Sequence, residues 1–137
     1  MGERARADFT LERESWLYSF DGFSSPIDMG GVVNTAKAGQ TIPVKWHLSN
    51  KDGDVTSTAS FVALMSYKID CDALTGNPES AVEEVSAGNS GLLNLGNGNW
   101  QYNWKTDKNY AKTSPCRNMV VKFSDNQKSP EAVFKFK

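Results

Sequence analysis

Apolar and polar residues alternate along Thr41–Ser49 (TIPVKWHLS). Ile42, Val44, Trp46 and Leu48 fall on one side, and Pro43, Lys45, His47 and Ser49 on the other. A two-residue period is that of a β-strand with one face in a core and one in water. Pro43 has no N–H to give a ladder, so on that side the strand needs an edge or a bulge. The same period recurs in Trp16–Phe23 (WLYSFDGF), which reads as the first strand, and in Arg117–Phe123, which puts Met119, Val121 and Phe123 on one face. In Ala132–Phe136, Phe134 and Phe136 face inward together. Ser60–Ile69 (SFVALMSYKI) is apolar on both faces and reads as a central strand. Val32–Lys37 reads as a short edge strand, and Ala81–Val85 as a minor strand inside a long polar loop, Cys71–Ser90.

The punctuation between these segments is that of an all-β chain. Leu92–Leu95 and Asn99–Lys105 are joined by Gly96-Asn97-Gly98, a strong hairpin signal. Lys51-Asp52-Gly53-Asp54 is a second tight turn, Ser24–Gly31 carries turn chemistry, and Thr106–Pro115 and Asp125–Pro130 are polar connections. About eight short strands result, within a range of seven to nine, and no convincing helix. The pattern predicts an antiparallel, immunoglobulin-like β-sandwich. The core is expected to hold Ile42, Val44, Trp46, Leu48, Met119, Val121, Phe123, Phe134 and Phe136. One immunoglobulin hallmark is missing, because Trp46 precedes both cysteines instead of lying between them.

At 137 residues the chain has the size of one domain, with enough length to bury roughly two thirds of its unfolded surface. It is 39% hydrophobic and 23% charged, which argues against disorder throughout. Fifteen basic and sixteen acidic residues are interspersed, with a net charge of −1, so no basic stripe follows a nucleic-acid backbone. No apolar run is long enough to span a membrane as a helix, and the opening MGERARADF has no apolar leader region. Gly2–Glu14 alternates in sign and reads as a short exposed helix or a solvated lead-in, with a docking tail as the functional alternative. Residues 1–17 are therefore taken as lead-in plus the start of the first strand, and 18–137 as the domain.

Tyr18–Asp28 (YSFDGFSSPID), Val33–Trp46 (VNTAKAGQTIPVKW), Tyr102–Thr106 (YNWKT), Cys116-Arg117 and Phe134–Lys137 (FKFK), taken together and in this order, resemble the PxKF family of bacterial domains. The eponymous Pro-x-Lys-Phe stands here as Pro43-Val44-Lys45-Trp46, with Trp in place of Phe at an inward position. The resemblance implies an accessory domain of secreted or surface proteins, fused beside catalytic or adhesive domains and without an established activity. The chain then reads as a segment of a larger secreted protein, with Met1 added and a neighbouring domain as its partner. It is expected to be extracellular or cell-surface, and monomeric.

Candidate chemistry is sparse. Cys71 and Cys116 suggest one staple across the sandwich, tying the loop after Ile69 to the start of the strand at Arg117; free thiols are the alternative. The family pattern and the compartment together favour the bond, whose closed loop of about 45 residues would stabilise the fold by about 4 kcal/mol. Trp100, Tyr102 and Trp104 project to one side of their strand, about 7 Å apart. Rings so spaced stack on sugars, which makes polysaccharide or cell wall a candidate ligand. The alternative, favoured by the burial habits of large aromatics, is that they are core. His47 is a lone outward histidine, too few ligands for zinc and with no nucleophile beside it in sequence. Asp52 and Asp54, Asp70 and Asp72, and Glu79, Glu83 and Glu84 lack the spacing of a calcium loop. No catalytic motif is present, so the expectation is a non-catalytic module with no metal and no cofactor. A protein-adhesion role through an exposed edge, at the Pro43 strand or at Val133–Lys137, is a further alternative.

Overall fold

A computed structural model of the chain describes residues 18–86 and 92–137. Among the described residues ten strands lie in two sheets: β1 (Ser19–Phe23), β2 (Val33–Ala36), β3 (Thr41–Asn50), β4 (Gly53–Asp54), β5 (Phe61–Lys68), β6 (Val82–Ser86), β7 (Leu92–Gly96), β8 (Asn99–Lys105), β9 (Cys116–Phe123) and β10 (Ala132–Phe136). The first sheet runs β1-β3-β8-β7, with β4 attached to β3; the second runs β2-β10-β9-β5-β6. This is an immunoglobulin-like sandwich. The first sheet corresponds to strands A-B-E-D, and the second to G-F-C with an added C′. Strand A is divided: β1 pairs with β3 in one sheet, and after residues 24–32 the chain continues as β2 in the other. Every pairing between these strands is antiparallel except β2 with β10, which is parallel.

The alternation in the sequence fixes which face each strand buries. Ile42, Val44, Trp46 and Leu48 of β3 are all buried, and so are Met119, Val121 and Phe123 of β9 and Phe134 and Phe136 of β10. The two sheets meet through aromatic contacts. Phe61 stacks between Trp46 and Tyr102, with centroids 5.9 and 5.7 Å away, and Trp104 packs at right angles to Phe134 and Phe136 at 5.4 and 6.0 Å. Offset and edge arrangements of this kind add to the burial of apolar area.

Two turns follow directly from their residues. In the β7–β8 hairpin, Gly96 pairs with Asn99, leaving Asn97-Gly98 as a two-residue loop with φ of 56° and 78°. Positive φ at both positions is the type I′ requirement that Asn-Gly satisfies. Pro43 sits where one side of β3 is locally an edge. The N–H of Leu48 donates to the Gly98 carbonyl, so even-numbered residues of β3 bond toward β8 and Pro43 faces the opposite side. On that side β1 has already ended: the last bond there is Ser24 N–H to the Lys45 carbonyl at 2.9 Å.

Several expectations need correction. β10 lies between β2 and β9, so the Val133–Lys137 segment is not an edge; β3 lies between β1 and β8 along Trp46–Ser49, while its Pro43 end pairs with β8 alone. The connection Thr106–Pro115 contains a short helix, α1 (Tyr110–Thr113), and two 3₁₀ turns occur at Thr58–Ser60 and Pro78–Ser80. The helix is too short for a periodic signal and is held by tertiary packing of the Tyr110 ring on Phe136. Trp16 and the rest of residues 1–17 lie outside the described residues.

Candidate functional site

The aromatic strand β8 carries the sharpest functional hint in the sequence. In β8, Trp100, Tyr102 and Trp104 share a face, and that face is inward: they are 1%, 4% and 0% exposed. Trp100 donates its indole N–H to the Val55 carbonyl at 3.0 Å, and Tyr102 lies against Phe61. Burial raises the Tyr102 phenol above its ordinary pKa. The three rings are core, and a sugar cannot stack on them in this fold. The physical reason is pairing: β8 sits between β3 and β7, and its inner face opposes β5, β9 and β10 across the sandwich. The outward side of the same strand carries amides, Asn99, Gln101 and Asn103, with Gln101 donating to Asn103 at 2.8 Å.

Cys71 and Cys116 form a disulfide with Cα atoms 5.3 Å apart. It does not cross the sandwich. Met119, Val121 and Phe123 occupy the inner face of β9, so Cys116, three residues before Met119, points outward. Cys71 lies just beyond β5, the neighbouring strand of the same sheet. The bond therefore ties the long connection after Ile69 down onto the outer face of the second sheet. There Tyr67, Ile69, Cys116 and Val133 form a small satellite core, with Leu74 and Ala81 of that connection packed on it.

His47 projects from β3 on the outer face of the first sheet. Its Nδ1 lies 2.7 Å from an Asp21 carboxylate oxygen on β1, and its Nε2 lies 3.0 Å from one of Asp54 on β4. A neutral imidazole has one N–H and could donate to only one of them; the imidazolium donates to both. The hydrogen bonds to Asp21 and then Asp54 accordingly hold the His47 pKa above its ordinary value. Gly98 closes the arrangement. A Cβ there would lie 3.0 Å from His47 Nε2 and 2.6 Å from the Leu48 carbonyl oxygen, so the turn residue must be glycine for space as well as for φ. The result is a clasp over three strands, not a convergent ligand set.

A buried polar cluster closes the opposite end of the sandwich, and sequence reasoning missed it. Arg117 shares the inward face with Met119, Val121 and Phe123, yet it is charged and only 7% exposed. Its Nε donates to Ser66 Oγ at 2.9 Å, one terminal nitrogen donates to Ser114 Oγ at 2.8 Å, and its guanidinium lies 4.2 Å over the Tyr110 ring. The Glu84 carboxylate accepts from both Ser66 and Tyr110. Burial first, and Glu84 second, push the Tyr110 phenol up to about 12. The available signal was Arg117 standing in register with three apolar residues.

The acidic candidates that the structure describes do not assemble; the Glu83 side chain lies outside the description. Asp52 lies in the β3–β4 turn and Asp54 in the His47 clasp. The Asp70 carboxylate accepts from the Asp72 and Ala73 N–H groups, which lowers its pKa. Asn77, not a carboxylate, caps the turn holding Glu79, and Glu84 serves the inner cluster. Among the described residues no three His, Cys, Asp or Glu side chains converge on a metal-sized site. Among the same residues no helix is long and apolar enough to cross a membrane. No family model, curated protein or solved structure matches this chain.

Proposed function

We propose that this domain is a non-catalytic accessory module of a secreted or surface bacterial protein, of the PxKF kind its sequence resembles, and that it acts as a rigid spacer for a neighbouring domain. One observation carries the reading: the chain enters and leaves at opposite poles. Tyr18 is fixed at the pole where β9 ends. Its hydroxyl bonds Ser124 at 2.7 Å, its N–H donates to Asp125, and its carbonyl accepts from Gln127. Lys137 lies at the other pole, its N–H donating to the Ala36 carbonyl, while that of Phe136 donates to Pro115, just before β9 begins. The eight residues of β9 separate the poles by about 25 Å. The disulfide supports an oxidising compartment for the same reading.

The test is small-angle scattering on the oxidised chain with a compact folded protein fused at each end. The expected result is two flanking bodies held apart along one axis, on opposite sides of the domain; flanking bodies that contact each other would overturn the reading. A pull-down on insoluble polysaccharides and bacterial cell walls runs beside it. Saturable retention would replace the spacer by a binding module, and its surface would have to lie outside Trp100, Tyr102 and Trp104.

A further inference from the structure

Tension applied at the two poles acts along the strands, and the topology decides which pairing resists it. Tension on Tyr18 draws β1 away from β3, but that ladder is short and irregular, with Ser19, Phe20 and Phe23 in register and one further bond from the Ser24 N–H to the Lys45 carbonyl. Once β1 gives, the pull passes through residues 24–32 to the leading end of β2. The opposite pull acts at the trailing end of β10. These two strands are neighbours and parallel, in register from Val33 with Val133 to Ala36 with Phe136. They are drawn past each other along their lengths, so their hydrogen bonds are strained together and not one after another.

We infer that the β2–β10 pair, pinned by Asn34, is a shear clamp that makes the domain resist extension along the axis joining its two poles. The inference rests on the spacer reading for its biological meaning, though not for its mechanics. The ladder continues beyond both strands: Lys137 N–H donates to the Ala36 carbonyl at 2.9 Å, and Ala38 N–H to the Lys137 carbonyl at 3.1 Å. That phase turns the N–H groups of even-numbered residues in β2 toward β10 and those of Val33 and Thr35 away from it. Asn34 adds a side-chain stitch at the end where tension arrives. Its Nδ2 donates to the Val133 carbonyl on β10 and to the Asp28 carbonyl, both at 2.9 Å, and its Oδ1 accepts from the Asp28 N–H at 2.8 Å. Asp28 belongs to the connection that transmits the pull from β1. The side chain therefore joins the incoming chain, β2 and β10 at one point.

Single-molecule stretching of the full oxidised chain between handles at its two ends tests this. The unfolding event is identified by its length: the disulfide encloses a sequence separation of 45, so the extension gained is about 160 Å shorter than after reduction. At constant force, Asn34→Ala is expected to shorten the folded lifetime about tenfold or more, because three hydrogen bonds are lost where the strain enters. Ala36→Pro, which deletes an N–H within the ladder, should do the same. Thr35→Pro removes an N–H that faces away from β10 and should change the lifetime by less than about twofold. Should Ala36→Pro fail to fold, Asn34→Ala against Thr35→Pro decides the matter alone. Equal lifetimes for Asn34→Ala and Thr35→Pro, or no change in either, would overturn the clamp. Flanking bodies held apart in scattering with a lifetime insensitive to Asn34→Ala would remove the clamp and leave the spacer; the reverse pair of results would remove the spacer and leave the clamp.

Discussion

Breaking the disulfide is the perturbation whose size follows most directly from the structure. The variant Cys71→Ser/Cys116→Ala suits the two environments, since Cys71 is exposed and Cys116 is buried in the satellite core. Two effects add. The bond closes a loop with a sequence separation of 45, and removing that constraint frees the unfolded chain by about 4 kcal/mol in the chain-entropy model. Truncating the buried Cys116 against Tyr67, Ile69 and Val133 costs on the order of 1 kcal/mol more. A total of about 5 kcal/mol is a large share of the stability of a domain this size, and corresponds to a fall in Tm on the order of 15 °C. Urea unfolding followed by tryptophan fluorescence, oxidised against variant, reads it. The slope m should rise as well, because the uncrosslinked unfolded chain exposes more surface. Hydrogen exchange adds a local readout: the Asp70 and Leu74 amides, bonded to the Thr75 and Asp70 carbonyls, should lose protection before the β5–β9 ladder does. A loss of stability below about 1 kcal/mol with m unchanged would refute the reasoning, since neither the loop constraint nor the satellite core would then matter as argued.

Four further outcomes are expected. Trp104→Ala should cost about 3–5 kcal/mol by equilibrium unfolding, as a fully buried ring is removed from between Phe134 and Phe136; Trp104→Phe should cost far less, because it also removes an indole N–H that has no partner in the core. In a Trp16→Phe background, iodide should barely quench the remaining tryptophans, Trp46, Trp100 and Trp104, all of them buried; efficient quenching would place them at the surface. The raised pKa of His47 means that the clasp stabilises the fold fully below the unfolded value of about 6.5 and loses that contribution as pH rises through the folded value. Unfolding free energies of wild type and His47→Gln should therefore converge as pH rises through the folded value, and a gap that widens there would contradict the clasp. Tyr110, pushed up to about 12, keeps its proton in the fold while the unfolded chain loses it, so stability should fall from pH 10 upward, and a Tyr110→Phe variant should show a shallower decline in the same titration.

The faces of the strands were legible in the sequence, and their neighbours were not. Period-two alternation depends only on local geometry, so Ile42, Val44, Trp46 and Leu48 declare an inner face without any knowledge of the partner strand. The Asn97-Gly98 hairpin was equally legible, because positive φ at two successive residues selects for that dipeptide. Strand order is a long-range property. Nothing in VNTA says that β2 will run parallel to β10 near the end of the chain, or that β1 will end just short of Pro43 and leave that side of β3 open to it. The staple shows the same limit: two cysteines predict a bond, while its location within one sheet depends on which face of β9 Cys116 takes. The inner polar cluster was hidden differently. Arg117 stands in an apolar register, and only the folded chain reveals that Ser66 of β5, Glu84 of β6, and Tyr110 and Ser114 of the connection before β9 arrive to satisfy it.

The burial of β8 also bears on what kind of module this is. A strand with Trp, Tyr and Trp on one face and Asn, Gln and Asn on the other has two ways to sit in a sheet. The aromatic-out arrangement would make a sugar platform, at the cost of leaving three large rings in water and amides in the core. Each buried amide without a partner would cost on the order of 1–3 kcal/mol, while each ring removed from the core would forfeit a similar amount or more. Both terms favour the observed arrangement, so the platform is excluded by the stability of the fold and not by an accident of one side chain. What remains on the outer face of β8 is amide-rich, and its hydrogen bonds compete with water. Affinity for a polysaccharide would then need a different surface, whereas holding two points of a chain apart needs only the core those rings build. A single result separates the two: a folded variant with Asn99, Gln101 and Asn103 all changed to Ser should keep the separation of the flanking bodies, and loss of that separation would show that the outer face takes part in more than solvation.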